Sequence, residues 1–238
     1  MIDIVCFKWQ KNNNDYLLSH RVKYTARHVN ILYESIKKNT TVPIRFSCIT
    51  DDPNGIHPDI RIIPLWDKCR ELGGCFNRLY LFSKDMSDII GKRFLAIDLD
   101  CVIVDNIDNI LEKKEDFCIN KFVPQKKKQK KMSQVYNGGL ILMDAGARED
   151  VWKKFDTSMS LSDINIIIKK NNLLGSDQAW INYMLGPDES KFKESDGIYS
   201  YVPIVKKQGL PTDAKIILFS GKADPSSVEK NWINQYWK

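Results

Sequence analysis

The chain has 238 residues, 43% hydrophobic and 28% charged, with a formal net charge of +6. That length suffices for one large α/β domain with a substantial core, and no linker, repeat or apolar stretch of the roughly 20 residues needed to span a membrane breaks it up. The charge does not point to nucleic acid: Lys121, Lys126, Lys127, Lys128, Lys130 and Lys131 equal the whole excess, sit in one short stretch and are interleaved with a single aromatic, Phe122.

The elements are predicted in chain order from apolar periodicity. Residues 2–7 read as a first buried strand, and this opening is too short and too acidic for a signal peptide. Val22, Ala26, Val29, Leu32, Tyr33 and Ile36 have the spacing of an amphipathic helix over 22–38. Strands at 43–49 and 60–64 follow, separated by the turn Thr50-Asp51-Asp52-Pro53-Asn54-Gly55. Helices are expected at 76–84 and 86–90, and then a strand from about 93. Residues 117–120 form another strand leading into a solvated lysine loop, and 135–143 the next. Helices at 148–159, 162–170 and 177–185, short strands near 199–204 and 215–219, and a last helix at about 226–234 complete the order. Strands alternating with helices imply a mainly parallel sheet covered on both faces, with ligands at the carboxyl ends of its strands.

Cys6, Cys48, Cys101 and Cys118 lie in or beside predicted core strands, where free cysteine buries as a small hydrophobe. Cys69 and Cys75 are too far apart for a CxxC pair, and three histidines leave little for a zinc site. Reduced thiols in a cytoplasmic protein, with peripheral attachment to a membrane allowed, are expected. The lysine loop at 126–131 could meet an anionic surface.

The apolar run Phe94-Leu95-Ala96-Ile97 ends in Asp98-Leu99-Asp100. In a strand, positions i and i+2 share a face, so the two carboxylates would repel unless a cation lay between them. Mg2+ or Mn2+, which prefer oxygen ligands and keep open positions for phosphates, fit this pair.

With these residues in place, the chain resembles the GT-A-fold glycosyltransferases that use a nucleotide-sugar donor. It is most like the group containing glycogenin and the bacterial lipopolysaccharide galactosyltransferases (family 8-like). Tyr24 through Asp52 is similar to the family's opening helix, strand and Thr-Asp-Asp turn. Asn77-Arg78-Leu79 stands where a Lys-Leu pair is common. Phe94 to Asp100 resembles the strand carrying the metal-binding D-x-D, and Tyr136-Asn137-Gly138-Gly139-Leu140-Ile141-Leu142-Met143 the F/Y-N-x-G strand. Ser176-Asp177-Gln178 resembles the D-Q segment, and Leu218-Phe219-Ser220-Gly221-Lys222 the closing H-F-x-G-x segment.

The resemblance implies a single GT-A, Rossmann-like domain over 1–238, with a nucleotide-binding part at about 1–105 and a sugar and acceptor part at about 106–238. It implies transfer of a hexose from a UDP-sugar to a glycan, lipid-linked or protein hydroxyl, with retention of anomeric configuration. Asp98 and Asp100 would hold Mn2+ or Mg2+ against the diphosphate, with Leu99 between them, and Arg78 would bond the same phosphates or form a surface ion pair. Asn137, Gly138 and Gly139 would meet the sugar, or form a β-bulge. Asp177 and Gln178 would face the reacting sugar, or cap a helix. Phe7, with Trp9, would pack on the base, and Ser220, Gly221 and Lys222 would close over the diphosphate. Trp232, Tyr236 and Trp237 would form an acceptor platform or dock the last helix.

Two positions depart from that pattern. Leu218 replaces a metal-binding histidine and Asp224 a diphosphate lysine, so Ser220 or Asp224 would have to stand in as a ligand and Lys222 as the cation. Two rivals follow. A nucleotidylyltransferase needs a glycine-rich loop where this chain has Lys8-Trp9-Gln10-Lys11. A non-catalytic nucleotide-sugar or glycan-binding module accommodates both departures.

Overall fold

A computed structural model describes residues 1–9, 24–67, 74–173, 176–221 and 223–238. The central sheet has seven strands: β1 (Ile2–Lys8), β2 (Ile44–Thr50), β3 (Arg61–Pro64), β4 (Arg93–Ile97), β6 (Phe117–Lys121), β7 (Tyr136–Asp144) and β8 (Lys191–Phe192). Their order is β3-β2-β1-β4-β7-β6-β8. All neighbours are parallel except β7, which runs antiparallel to both β4 and β6. Every residue of β1 is buried, as a strand covered on both faces must be. A second sheet joins β5 (Cys101–Ile103), β10 (Ile216–Leu218) and β9 (Ile198–Ser200), in that order.

Helix α1 (Ala26–Lys38) buries Val29, Leu32, Tyr33 and Ile36, the stripe expected from their spacing. The remaining helices are α2 (Met86–Ile89), α3 (Asp108–Leu111), α4 (Asp150–Lys153), α5 (Leu161–Lys170), α6 (Asp177–Leu185), α7 (Lys206–Gln208) and α8 (Asn231–Tyr236). One apolar cluster lies between the sheet and the side bearing α4 to α6, and another under α1. A third lies beneath the small sheet and α8. Ile233 and Trp237 are buried there, and Trp237 also packs on His28 and Arg27 of α1, so the terminal aromatics dock the helix. Among the described residues, no helix is long and apolar enough to cross a membrane. Cys6, Cys48, Cys101 and Cys118 are free and buried, and Cys75 is buried; Cys69 lies outside the described residues.

Several expected elements differ. Gly74–Phe82 is a 3-10 helix, not an α-helix. The expected strand at 199–204 stops at Ser200, and Tyr201–Val205 forms a π-helical turn. The helix expected over 148–159 is only Asp150–Lys153, and the last helix begins at Asn231, after a 3-10 turn Pro225–Ser227. The lysine loop contains a 3-10 turn, Lys127–Lys131.

The candidate active site

The aspartate triplet is not in a strand. Strand β4 ends at Ile97, and Asp98-Leu99-Asp100 turns the chain from the large sheet into β5 of the small one. The turn is closed by Cys101 N–H donating to Asp98 O at 3.3 Å, while Asp98 N–H donates to Gly139 O at 2.9 Å. Leu99 is buried in the core and leaves the carboxylates on either side of it partly exposed. The alternation expected of a strand therefore does not apply to the two acids, although Asp98 still acts electrostatically on the Asp100 carboxyl.

Gly138 and Gly139 lie where the register of β7 against β6 shifts between Ile119 and Asn120, so the strand bulges at the glycines. A Cβ on Gly139 would sit 2.9 Å from Asn137 Oδ1 and 3.0 Å from Asp98 Oδ2, whereas one on Gly138 would meet nothing nearer than 3.8 Å. Asn137 Oδ1 accepts from Gly139 N–H at 2.8 Å and its amide donates to Gln178 Oε1 at 3.3 Å. Gly139→Ala is expected to displace Asp98 and lower stability by about 1–3 kcal/mol. Gly138→Ala is expected to melt within about 2 °C of the parent. Thermal denaturation of the two variants compares these outcomes.

Asp177 opens α6 and is 1% exposed. Ser176 before it adopts φ +105°, sparsely populated for a non-glycine residue, and turns the helix start inward. Arg78, from the 3-10 helix, joins this element to the triplet. Its Nε and Nη2 donate to Asp177 Oδ2 at 2.8 and 2.7 Å, and its Nη1 to Asp98 Oδ1. Burial works against the guanidinium charge, but Asp177 and Asp98 outweigh it and raise its pKa. Asp177 Oδ1 is buried without a partner. A cavity of about 10 Å3, the size of one water, lies among Arg78, Asp98, Gly138, Asp177 and Ile181. Arg78 thus sits between the two acids as their counter-ion, not on the surface.

Among the described residues, Asp100 has no such counter-ion. Burial, then the charge of Asp98, push its carboxyl up to about 8, although the nearby Tyr24 hydroxyl works the other way. The same burial and the two aspartates raise the pKa of Tyr24. A carboxyl raised by a neighbouring carboxylate, as Asp100 is by Asp98, is a good match for a divalent cation, which would take the place of the proton. Among the described residues no group of three or more His, Cys, Asp or Glu side chains is arranged around a metal, so of these residues the pair alone would supply ligands.

The closing segment approaches from the small sheet. Phe219 N–H donates to Asp100 O at 3.3 Å, Leu218 is buried opposite Cys101, and Ser220 accepts from Gln125 Nε2. Gly221 follows at φ +73°, and Lys222 lies outside the described residues. Asp224 is 1% exposed. Burial would raise its carboxyl, but the nearby His28, with Nε2 3.8 Å away, and hydrogen bonds from Ser226 hold it below the ordinary range. Phe7 is 8% exposed, has Trp9 and Trp66 edge-on to it, and lines the small cavity with Arg78, Asp98 and Asp177.

Two residues that matter here carry no sequence signal of their own. Tyr24 reaches Asp100 from the start of α1. Asn182 Oδ1 accepts from Val135 and Tyr136 N–H at 2.8 and 2.9 Å, and its amide donates to Tyr136 O and Gln178 O, fastening α6 to the glycine strand. An Asn four residues after Gln178 was its only trace.

No protein-family model matches the chain, and no curated protein matches it. Solved structures do. Galactosyltransferase LgtC, solved with donor and acceptor sugar analogs, is 13% identical with a TM-score of 0.61, over 94% of this chain and 89% of LgtC. Glycosyltransferase GlyE of Streptococcus pneumoniae is 11% identical with a TM-score of 0.61, over all of this chain but 60% of GlyE. The bifunctional glycosyltransferase WbbM is 11% identical with a TM-score of 0.54, over 94% of this chain and 46% of WbbM. The architecture expected from the residues is thus the one adopted: a mixed, mainly parallel GT-A-type sheet flanked by helices, similar in fold to LgtC.

Proposed function

We propose that this protein is a glycosyltransferase that moves a hexose from a UDP-sugar to a hydroxyl acceptor, with metal assistance and retention of configuration. The observation that carries the reading is the Arg78 bridge. It brings the triplet, the glycine strand and the start of α6, from three distant parts of the sequence, to one edge of the sheet. LgtC was solved with donor and acceptor sugar analogs, and an active-site glutamine-to-glutamate mutant of it has been solved too. Gln178, hydrogen-bonded to Asn137, is the glutamine we place beside the sugar here.

Asp98 and Asp100 would hold Mn2+ or Mg2+, which supplies Lewis-acid stabilisation for a departing diphosphate. The chain's own residues do the rest. The unpartnered Asp177 Oδ1 accepts a hydrogen bond from a donor-sugar hydroxyl, Arg78 fixes the carboxylate that makes it, and Asn137 holds Gln178 toward the same space. Gly138 leaves room for that ring, because nothing in the fold forbids a side chain there. Residues 1–105 supply the nucleotide side and 106–238 the sugar and acceptor side.

The test is UDP release from a panel of UDP-sugars with Mn2+, with and without simple sugar acceptors. Asp98→Ala and Asp100→Ala are each expected to lower the rate by more than about 100-fold. Wild-type activity in either folded variant sinks the metal assignment. A second reading, a non-catalytic nucleotide-sugar or glycan-binding module, is favoured by the buried Leu218 and by Arg78 holding Asp98. Calorimetry showing metal-independent UDP binding with no sugar release would favour the module.

A further inference from the structure

The structure holds a second, larger cavity of about 260 Å3 at the same edge of the sheet. Its walls include Asn120 and Lys121 at the end of β6, Phe192 and Lys193 at β8, Glu194, and Ser200 at the end of β9. Asn120 pairs across the strands with Asn137, so the cavity begins about 5 Å, one strand spacing, from the candidate donor site. On the other wall, Ser200 pairs with Leu218, next to the Phe219 that bonds Asp100. Asn120 is 5% exposed, lines the cavity, and its side chain has no hydrogen-bond partner among the described residues. The cavity's walls are more polar than apolar, with Phe192 and Ile198 beneath Asn120 and Ser200, so its unengaged polar groups are free to bond a hydroxylated ligand.

The cavity's charge narrows the ligand. Lys121 and Lys193 line it against the single acid Glu194, and the segments leaving it carry Lys126, Lys127, Lys206 and Lys207. None of these six lysines is ion-paired with a described carboxylate, whereas nearby Asp196 is already paired with Lys113 and Glu189 with Arg148. A concave site with an excess of one charge sign concentrates ions of the other. We infer that the cavity binds an anionic sugar, one bearing a phosphate or a carboxylate. On the glycosyltransferase reading, that sugar is the hydroxyl acceptor.

Binding is measured by calorimetry on the full chain with glucose 6-phosphate, glucuronic acid, glucose and inorganic phosphate, without a nucleotide sugar. At least one anionic sugar is expected to bind five-fold or more tighter than glucose and than phosphate alone, and the tighter of the two names the anion. The double variant Lys121→Gln/Lys193→Gln is expected to weaken that sugar about tenfold, and Asn120→Leu, which keeps the lysines, to weaken glucose and the anionic sugar alike. Equal binding of glucose, no binding of any sugar, insensitivity to the lysine pair, or displacement of the sugar by UDP each overturns the inference. UDP release scores the glycosyltransferase reading separately: turnover with a neutral acceptor would keep that reading and discard this one. Anionic-sugar binding without turnover would do the reverse.

Discussion

Arg78→Ala is expected to lower stability by about 3–5 kcal/mol, because it strips the counter-charge from a buried carboxylate. For a chain of this size that is a fall in Tm on the order of 10 °C. Asp177 is 1% exposed, and all the hydrogen bonds its carboxylate makes to described side chains come from Arg78. Without them the Asp177 carboxylate keeps no side-chain hydrogen bond among the described residues and must rely on water entering the space that Arg78 leaves. The double variant Arg78→Ala/Asp177→Asn should recover part of the loss, since an amide does not need the cation, giving a coupling of about 1–3 kcal/mol in a double-mutant cycle. Arg78→Lys separates the two roles of the side chain. It keeps the charge and most of the stability, but one ammonium cannot reproduce a planar fork shared by Asp98 and Asp177. UDP release should then fall tenfold or more while Tm changes little. Additive single-mutant effects, or a loss under about 1 kcal/mol for Arg78→Ala, would show that the bridge does not hold the site together.

Much of this arrangement could be read from the residues, and the exceptions share a cause. Strand β1 and the apolar stripe of α1 were legible because burial imposes a period on neighbouring residues. The same local logic placed the triplet in a strand, since a run of apolar residues does not reveal where its ladder stops. That end is set by the switch of the chain into a second sheet at Cys101, a choice made by Ile216–Leu218, more than 100 residues later. Gly74–Phe82 packs as a 3-10 helix although its composition suits an α-helix, because tertiary contacts around Leu79 and Phe82 decide its pitch. The partners of the site residues were the least legible. Arg78 was recognisable as a cation near the site, but its bond to Asp177 spans 99 positions. The approach of Tyr24 to Asp100 and the Asn182 clamp are equally non-local. Phe7 shows the same limit: its place at a strand end was legible, whereas its edge-on packing with Trp9 and Trp66 depends on a residue 59 positions away.

Raising the pH should destabilise the metal-free protein through Asp100, and a divalent ion should reverse the effect. Burial and Asp98 lift its carboxyl from the ordinary 3.8 to about 8. Between those values the folded chain keeps a proton that the unfolded chain has released. Bound protons are therefore more numerous in the native state, and unfolding free energy declines as pH rises through the window. The slope from this one group reaches at most ~1.4 kcal/mol per pH unit. A cation held by Asp98 and Asp100 takes the proton's place, so its affinity climbs with pH and it stabilises the native state by mass action. The expected result is a Tm gain on adding Mn2+ that is small near pH 5.5 and several degrees near pH 8. Asp100→Asn should flatten the metal-free pH dependence, make the protein more stable than the parent at pH 8, and abolish the Mn2+ gain. Leu218→His offers the complementary measurement, although it places an imidazole in a position that is 4% exposed in the core and should itself cost stability. If the Mn2+ gain grows in that variant, the two carboxylates already form the metal's seat and lack only a third ligand. If the parent shows no Mn2+ gain at any pH, Arg78 is the cation of this site, and diphosphate stabilisation would fall to the side chains around it.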